Sequence, residues 1–252
     1  MIFELADKGL RPKAWRSETK PHRFCPGCGH GIILKGLADV IDELGIHELG
    51  VFACDIGCSL LSWDFFNLDS VQTHHGRTVP VVVGLKKVRP DLTVVAYVGD
   101  GGGYSIGLQH LISSAVRNDP VTVVLANNTL YAMTGGQMAP TTLSGQKTST
   151  TPYGRSIEET GPPFMGPEIV SAAASDSAYV ARGSVTRFPE LKQILKKALL
   201  NQMLRSSFSF VEFLSSCPTN WRTKPADTLK FVNEDMARTF PLKEHRVPKD
   251  LS

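Results

Sequence analysis

The sequence lacks the features that mark membrane-spanning, nucleic-acid-binding and exported proteins. No stretch approaches the ~18 consecutive apolar residues of a membrane-spanning helix. The net charge is only +3, and no long run of Lys or Arg offers a basic surface to nucleic acid. The N-terminal stretch MIFELADKGLRPKAW has neither the apolar core nor the small-residue cleavage site of a signal peptide. We therefore predict a cytoplasmic protein that binds neither membrane nor nucleic acid.

The five cysteines stand in a chain without an export signal, where thiols are normally kept reduced. A metal or redox role is therefore favoured over a disulfide framework. Two of these residues, Cys25 and Cys28, lie in the stretch FCPGCGHG. Their C-x-x-C spacing is compatible with a zinc site, a redox dithiol, half of an iron–sulfur site or the remnant of a disulfide. The odd count fits four ligands and one cysteine without a metal role.

The pattern of apolar residues indicates the fold class. With 252 residues, 42% hydrophobic and 20% charged, the chain can bury a sizeable core. Short β-branched runs alternate with stretches of helical period, which is typical of a parallel sheet wrapped by helices. We predict an α/β fold with an open, mainly parallel twisted sheet of about five or six strands and helices on both faces. Strands are expected at residues 50–54, 93–98 and 121–126, and around Val180 and Val211.

Two segments do not fit a compact core. Residues 138–166 are rich in Thr, Ser, Gly and Pro and have almost no apolar period. A loop of this length is usually functional or ordered by a partner, with a plain solvated loop as the alternative. From Trp221 onward the sequence is charged and interrupted by prolines. We expect one α/β domain over residues 1–220 and a C-terminal tail, 221–252, that docks on a neighbouring subunit.

Polar residues follow two of the predicted strands. The motif GDG, residues 99–101, comes directly after the strand at 93–98, and Asn127-Asn128 follows the strand at 121–126. The carboxyl ends of parallel strands meet at one edge of the sheet, and ligands bind there. A GDG motif alone is ordinary turn chemistry, so the pairing of two strand ends carries the prediction.

Oxygen donors at these strand ends suit a magnesium ion. Asp100 supplies a carboxylate, Asn128 an amide oxygen and Leu130 a main-chain carbonyl, while phosphate oxygens and water complete an octahedron around Mg²⁺. Gly99 and Gly101 allow the backbone to approach a ligand closely. The helix expected to begin near residue 103 would direct its N-terminal amides at the same phosphates.

The two strand-end motifs resemble those of a known family. GDG followed at this distance by NN is similar to the binding motif of thiamine diphosphate enzymes. The resemblance narrows to the β subunits of 2-oxoacid:ferredoxin oxidoreductases over roughly residues 24–221, through the motifs CPGCGHG, IGCS, HHGRTVP, NNTLYAMTGGQMAPTT and KTSTTPYG. It implies the thiamine diphosphate-binding fold, with Mg²⁺ on Asp100, Asn128 and the Leu130 carbonyl and with Gly99 and Gly101 beside the diphosphate.

The same resemblance extends to a histidine segment and to the cysteines. It places His75, Gly76 and Arg77 near the cofactor, with a hydrogen-bonded structural role as the alternative for His75. It implies a [4Fe-4S] cluster held by Cys25, Cys28, Cys58 and Cys217. From spacing alone a four-cysteine zinc site is an equal alternative. Cys54 is expected to be a buried spectator, although Cys54 and Cys58 could exchange roles.

The reaction that the resemblance implies is the oxidative decarboxylation of a 2-oxoacid to acyl-CoA and CO₂, with electrons passing through the cluster to ferredoxin. The glutamate that activates the cofactor is expected on an α subunit with a pyrimidine-binding domain, so no catalytic residue is assigned to this chain, and further γ or δ subunits could carry more clusters. Met133 follows the metal-binding turn and could face a branched-chain 2-oxoacid or 2-oxoglutarate, or belong to the core. Two rival functions are half of a non-oxidative thiamine diphosphate decarboxylase or synthase, and a zinc-stabilised binding module.

Overall fold

The protein is described by a computed structural model that covers residues 11–16, 18 and 22–251. The strands are β1 (Gly50–Cys54), β2 (Asp69–Gln72), β3 (Thr93–Gly99), β4 (Thr122–Asn127), β5 (Leu130–Tyr131), β6 (Gln137–Met138), β7 (Tyr179–Ser184), β8 (Ser209–Leu214) and β9 (Lys243–Arg246). The α-helices are α1 (His30–Leu44), α2 (Thr78–Val88), α3 (Leu108–Arg117), α4 (Ile157–Thr160), α5 (Gly166–Ala173), α6 (Phe188–Arg205), α7 (Pro218–Trp221), α8 (Pro225–Phe231) and α9 (Ala237–Thr239). Short 3₁₀ or π segments are Cys58–Ser62, Gly102–Ile106, Val232–Met236 and Lys249–Leu251.

A seven-stranded sheet in the order β2-β1-β3-β4-β8-β7-β9 organises the described part of the chain. All neighbouring strands are parallel except β9, which runs antiparallel to β7. From β1 the chain passes to β2 on one side and then returns to β3 on the other. The strand order therefore reverses between β1 and β3, which is where ligands bind in open α/β sheets. The predicted open, mainly parallel α/β fold is confirmed.

The predicted count of five or six strands is wrong, because the sheet has two edge strands of polar sequence. β2 (DSVQ) is largely exposed and β9 (KEHR) is half exposed, and neither shows apolar alternation. In contrast, β3 and β4 are almost entirely buried, since helices cover both of their faces. Continuous apolar runs therefore identified the centre of the sheet but not its edges.

Helices pack on both faces of the sheet. Consecutive residues of β1 point to opposite sides, so that Phe52 joins the core under α1 and α6 while Val51 joins the core under α2, α3 and α5. The α1 helix is capped by Gly45, whose left-handed backbone (φ 65°) closes the last turn with main-chain hydrogen bonds. No helix in the described ranges is both long and apolar enough to cross a bilayer.

The two segments expected to lie outside the core are packed within the chain. Residues 138–166 contain α4 and are held by many hydrogen bonds from threonine, glutamine and arginine side chains. After residue 221, the chain supplies β9 to the sheet, and a third apolar cluster joins the segment to the domain; its buried members are Leu143, Leu214, Val232, Met236 and Phe240. These contacts join the segment after residue 221 to the sheet. The division into a 1–220 domain and a 221–252 tail that docks on a partner stays a prediction.

Candidate functional site

A pocket opens at the carboxyl edge of the sheet, next to the reversal of strand order. Three loops line it, and they follow β1 (residues 56–59), β3 (Gly99 to Gly102) and β4 (Asn128 and residues 130–134). His30, His75 and Ile106 complete the lining. The two strand ends that the sequence singled out thus face one cavity, together with a third loop that follows β1.

Asp100 is a buried carboxylate in the pocket wall. It is 2% exposed, and its Oδ2 accepts a hydrogen bond from the hydroxyl of Thr141. Burial raises the pKa of the Asp100 carboxyl to about 7; the Thr141 hydrogen bond opposes that rise, and the charge of nearby Glu212 adds to it. A nearby divalent cation would favour the ionised form of this carboxyl and lower its pKa again.

The turn after β4 separates the two asparagines. Asn127 points inward, and its Nδ2 donates to Oε1 of Glu212 at 3.3 Å. Asn128 lines the pocket, and its Oδ1 accepts from the main-chain N–H of Leu130 at 3.1 Å. Between them and the β5–β6 hairpin, Thr129 has a left-handed backbone with φ 62°, which is costly for a β-branched residue. The chain thus maintains a strained turn that presents Asn128 and Leu130 to the pocket.

The start of the helical segment after β3 lies close to two other side chains. A Cβ on Gly101 would come within 2.2 Å of the Tyr131 ring, so only glycine fits there. A Cβ on Gly102 would come within 2.0 Å of Oδ2 of Asp55. The segment Gly102–Ile106 has π-helical hydrogen bonds before α3 begins, and such turns are frequent at functional sites. The helical segment starts one residue before the expected position near residue 103.

The histidine segment is only partly in the pocket. His75 lines the cavity, whereas the guanidinium of Arg77 donates to the carbonyl of Ile106 at 3.1 Å. The N–H of Gly76 donates to Oδ1 of Asp55 at 2.9 Å, and its φ of 63° suits glycine. Arg77 therefore ties the segment to the end of the π-helical turn, Gly76 ties it to Asp55 after β1, and His75 is the member that can meet a ligand.

Four of the five cysteines are brought close enough to influence one another. Burial, together with the charges of Cys217 and Cys25, raises the pKa of the Cys28 and Cys58 thiols to about 12. Burial likewise raises the pKa of Cys54, to about 11, but the neighbouring charge in that case is Asp55 and not another cysteine. Cys58 also lines the pocket. Among the described residues, no group of three or more His, Cys, Asp or Glu is arranged to hold a single metal ion.

Comparisons with known proteins show the family of this chain. Residues 55–213 match the model of the thiamine pyrophosphate enzyme family's C-terminal TPP-binding domain. The 2-oxoglutarate synthase subunit KorB of Archaeoglobus fulgidus is 38% identical over 223 residues, which cover 88% of this chain and 80% of that protein. The chain belongs to the β-subunit family of the 2-oxoacid:ferredoxin oxidoreductases.

Two further relatives show the range of this family. The ketoisovalerate oxidoreductase subunit VorA of Methanothermobacter thermautotrophicus is 38% identical over 237 residues, 93% of this chain but 49% of that protein. The chain thus spans about half the length of that relative. A solved 2-oxoglutarate:ferredoxin oxidoreductase from Magnetococcus marinus, with 2-oxoglutarate, coenzyme A and succinyl-CoA bound, superposes with a TM-score of 0.77 at 34% identity, covering 89% of this chain and 72% of the solved one.

The pocket also contains or contacts residues that were not predicted from the sequence. Thr141 donates a hydrogen bond to Asp100, and the charge of Glu212 raises the pKa of Asp100. Asp55 accepts a hydrogen bond from the N–H of Gly76 and so fixes the histidine segment. His30 lines the pocket, and its Nδ1 lies 2.5 Å from the Tyr97 hydroxyl. Burial lowers the pKa of His30 to about 4, so its ring is neutral at physiological pH. Glu212 could have been found from the sequence, because an acidic residue within the apolar strand FSFVEFL requires a partner when it is buried.

Proposed function

We propose that this chain is the β subunit of an enzyme that converts a 2-oxoacid and CoA to acyl-CoA and CO₂ and passes the electrons through a [4Fe-4S] cluster to ferredoxin. One observation carries the proposal. Cys58 lines the pocket that contains Asp100 and Asn128, and its thiol also interacts with Cys25 and Cys217. A cofactor at the strand ends and a cluster on the cysteines would therefore share one wall of the protein.

The oxygen donors of the pocket fit magnesium and a diphosphate. Mg²⁺ would be held by Asp100, the amide oxygen of Asn128 and the carbonyl of Leu130, which are hard ligands in a buried setting. Gly99 and Gly101 would lie beside the diphosphate, and the main-chain amides at the start of the helical segment would point at it. Thiamine diphosphate, when bound, supplies a nucleophilic carbon and an electron sink for decarboxylation. His75, with Gly76 and Arg77 fixing its loop, would border the cofactor.

The four thiols fit an iron–sulfur cluster. A [4Fe-4S] cluster takes four cysteine thiolates, and this chain offers Cys25, Cys28, Cys58 and Cys217. Because burial and neighbouring charges raise the pKa of Cys28, Cys58 and Cys217, these three thiols would ionise on binding a metal that supplies compensating positive charge. Cys54, which lacks this thiol neighbourhood, would remain a core residue. When bound, the cluster accepts electrons one at a time.

The remaining parts of the enzyme would come from partners. The activating glutamate would lie on an α subunit with a pyrimidine-binding domain, and γ or δ subunits could complete the path to ferredoxin. Two exposed apolar residues at the pocket support burial of this surface by a partner subunit, since Ile106 is 52% and Met133 43% exposed. Met133 would also face the side chain of the 2-oxoacid. We place the complex in the cytoplasm.

Anaerobic purification with co-purifying subunits tests the proposal. We expect a brown protein with about four irons per chain, as a four-cysteine cluster requires, and with stoichiometric bound thiamine diphosphate. Addition of a 2-oxoacid and CoA should bleach the cluster and reduce ferredoxin. Zinc in place of iron would establish the zinc-stabilised module, and thiamine without iron would establish a non-oxidative enzyme.

Two variants separate the cofactor site from the cluster. Asp100→Ala removes the only carboxylate among the proposed magnesium ligands, so it should lose Mg²⁺ and thiamine diphosphate while the iron content stays unchanged. Cys217→Ala should lose iron and keep the thiamine cofactor. Normal cofactor retention by Asp100→Ala would show that the magnesium assignment is wrong.

A further inference from the structure

The segment of residues 139–155, called here the threonine segment, contacts both strand ends of the proposed magnesium site. On one side, the hydroxyl of Thr141 donates to Oδ2 of Asp100. On the other, the hydroxyl of Thr142 donates to the carbonyl of Thr129 at 2.5 Å, and Nε2 of Gln146 donates to the Thr129 hydroxyl at 2.8 Å. Thr141 and Thr142 are both fully buried. One stretch of chain therefore holds the carboxylate and the strained turn together.

The threonine segment is itself held by Arg155. This guanidinium is almost fully buried, and its Nη1 donates to the carbonyls of Pro140, at 2.9 Å, and Thr142. Those two carbonyls flank Thr141 in the sequence. Its other nitrogens donate to the hydroxyl of Thr160 at 3.1 Å and the carbonyl of Pro162 at 3.1 Å.

The partners of Arg155 explain why an arginine occupies this position. All of its described hydrogen bonds go to neutral oxygens, so the cation is solvated by the loop instead of pairing with an acid. Burying a charge is costly unless it is hydrogen-bonded, and the planar fork of arginine reaches several carbonyls at fixed angles. A lysine could not contact the same carbonyls at once. The conformation around Thr141 is therefore set by the guanidinium.

The contact with Asp100 links this geometry to the site. A hydrogen bond to one carboxylate oxygen fixes the side-chain torsions and hence the direction of the other oxygen. Hydrogen-bonding partners of this kind orient metal ligands, and their loss typically weakens metal binding by about 10- to 100-fold. Likewise, the bonds from Thr142 and Gln146 hold Thr129 in its left-handed conformation, next to Asn128 and Leu130.

We propose that Thr141 and Arg155 are positioning residues for the magnesium ion: Arg155 fixes the threonine segment, and Thr141 aims the Asp100 carboxylate. The inference rests on the proposed function, because it takes the magnesium site at Asp100 as given. It assigns a role in cofactor retention to the long segment that has no apolar period.

The test measures magnesium affinity and thermal stability in the protein as isolated with its co-purifying subunits. Bound Mg²⁺ is removed with a chelator, and Mn²⁺ is titrated back at saturating thiamine diphosphate, with free Mn²⁺ followed by electron paramagnetic resonance. We expect Thr141→Val and Arg155→Lys each to raise the Mn²⁺ dissociation constant by about 10-fold or more. Thr141→Ser, which keeps the hydroxyl, should stay within about threefold of the wild type. Arg117→Lys, a solvent-accessible arginine that pairs with Asp119 at the end of α3, is the matched control and should leave the constant unchanged.

Non-additivity supplies a second criterion. Both residues act through the contact between Thr141 and Asp100, so their effects should not add. The Mn²⁺ dissociation constant of the double variant should lie within about twofold of that of the weaker-binding single variant. A lower melting temperature with an unchanged dissociation constant in both single variants would overturn the inference and leave only a structural role. Should Thr141→Val fail to fold, Arg155→Lys carries the same expectation. Asp100→Asn separates a failure of this inference from a failure of the proposed function. If Asp100→Asn also binds Mn²⁺ normally, the magnesium site and the proposed function are wrong.

Discussion

The indole Nε1 of Trp221 donates a hydrogen bond to the main-chain carbonyl of Asn128, at 3.2 Å. The same indole packs edge-on against Phe231, with ring centroids 4.7 Å apart. The segment after residue 217 thus touches the turn that carries the proposed magnesium ligands. This contact gives the protein an intrinsic fluorophore at the proposed cofactor site.

We expect tryptophan fluorescence to report cofactor binding through Trp221. Trp221 bonds directly to the turn that carries the proposed magnesium ligands, so ordering of that turn by Mg²⁺ and thiamine diphosphate should change its emission. Trp221→Phe should remove most of the change seen in a titration of the chelator-treated protein. Trp63→Phe is the control, since Trp63 is 44% exposed and stacks with Arg23. A signal that disappears with Trp63 and survives without Trp221 would contradict the prediction.

Gly101→Ala should damage the pocket while leaving the rest of the fold in place. The new Cβ would meet the ring of Tyr131 at 2.2 Å, which forces the β5–β6 hairpin away from the helix start. Overpacking of this kind costs about 1–3 kcal/mol, and we expect it to weaken thiamine diphosphate binding as well.

Gly84→Ala is the matched control for that change. Gly84 lies inside α2, and a Cβ there meets no atom within 4 Å. It should stabilise the protein by up to about 1 kcal/mol, because alanine has the higher helix propensity. Thermal melting and cofactor titration of both variants check the pair. Equal cofactor affinity in Gly101→Ala and the wild type would show that the β5–β6 hairpin can shift without weakening cofactor binding.

The sequence predicted the centre of the site because local chemistry specifies it. β3 and β4 are continuous apolar runs that end in GDG and NN, so their polar ends had to meet at one edge of a parallel sheet. The strand ends were placed within one residue. The cysteines Cys25 and Cys28 were visible from spacing alone, but their choice of partner, Cys58 or Cys54, was not.

The support of the site could not be predicted in the same way. Thr141 reaches Asp100 across 41 residues of sequence, from a segment that shows no apolar period. Such a contact depends on tertiary folding of the loop around Arg155 and leaves no periodic trace. For a similar reason, β9 was missed, since KEHR has the composition of a solvated tail and becomes a strand only by pairing with β7.

Cys58→Ala and Cys54→Ala should have opposite effects on iron content. The charges of Cys25 and Cys217 raise the pKa of Cys58, so these thiols lie near one another, and we expect loss of Cys58 to deplete the proposed cluster and its visible absorption. Cys54 is fully buried on β1 and has Asp55 as its charged neighbour, so Cys54→Ala should keep iron and lose at most about 1–2 kcal/mol of stability from the small cavity. Iron assays on anaerobically purified variants decide between them. The reverse result would make Cys54 the ligand.

A buried ion-pair network joins the cofactor region to the C-terminal segment. The guanidinium of Arg182 donates to Oε1 of Glu212 at 2.8 Å and, through two nitrogens, to Glu168 at 2.8 and 2.7 Å. It also donates to the carbonyl of Pro241 at 3.2 Å and lies over the ring of Phe240. Glu212 in turn accepts from Tyr104, near the start of the helical segment.

We expect Arg182→Met to destabilise the protein strongly. It leaves Glu212, which is 0% exposed, without its counter-charge, and breaking a buried pair in this way costs about 3–5 kcal/mol. Arg246→Met is the control, because its partner Asp176 is fully exposed and such pairs contribute about 1 kcal/mol or less. For a chain of this length the difference should appear as a gap of roughly 10 °C between the two melting temperatures. Adding Glu212→Gln to Arg182→Met should recover part of the loss, since the amide carries no charge to leave unpaired. Equal melting temperatures for Arg182→Met and Arg246→Met would mean that Glu212 is accommodated without its counter-charge, and that the network does not stabilise this side of the sheet.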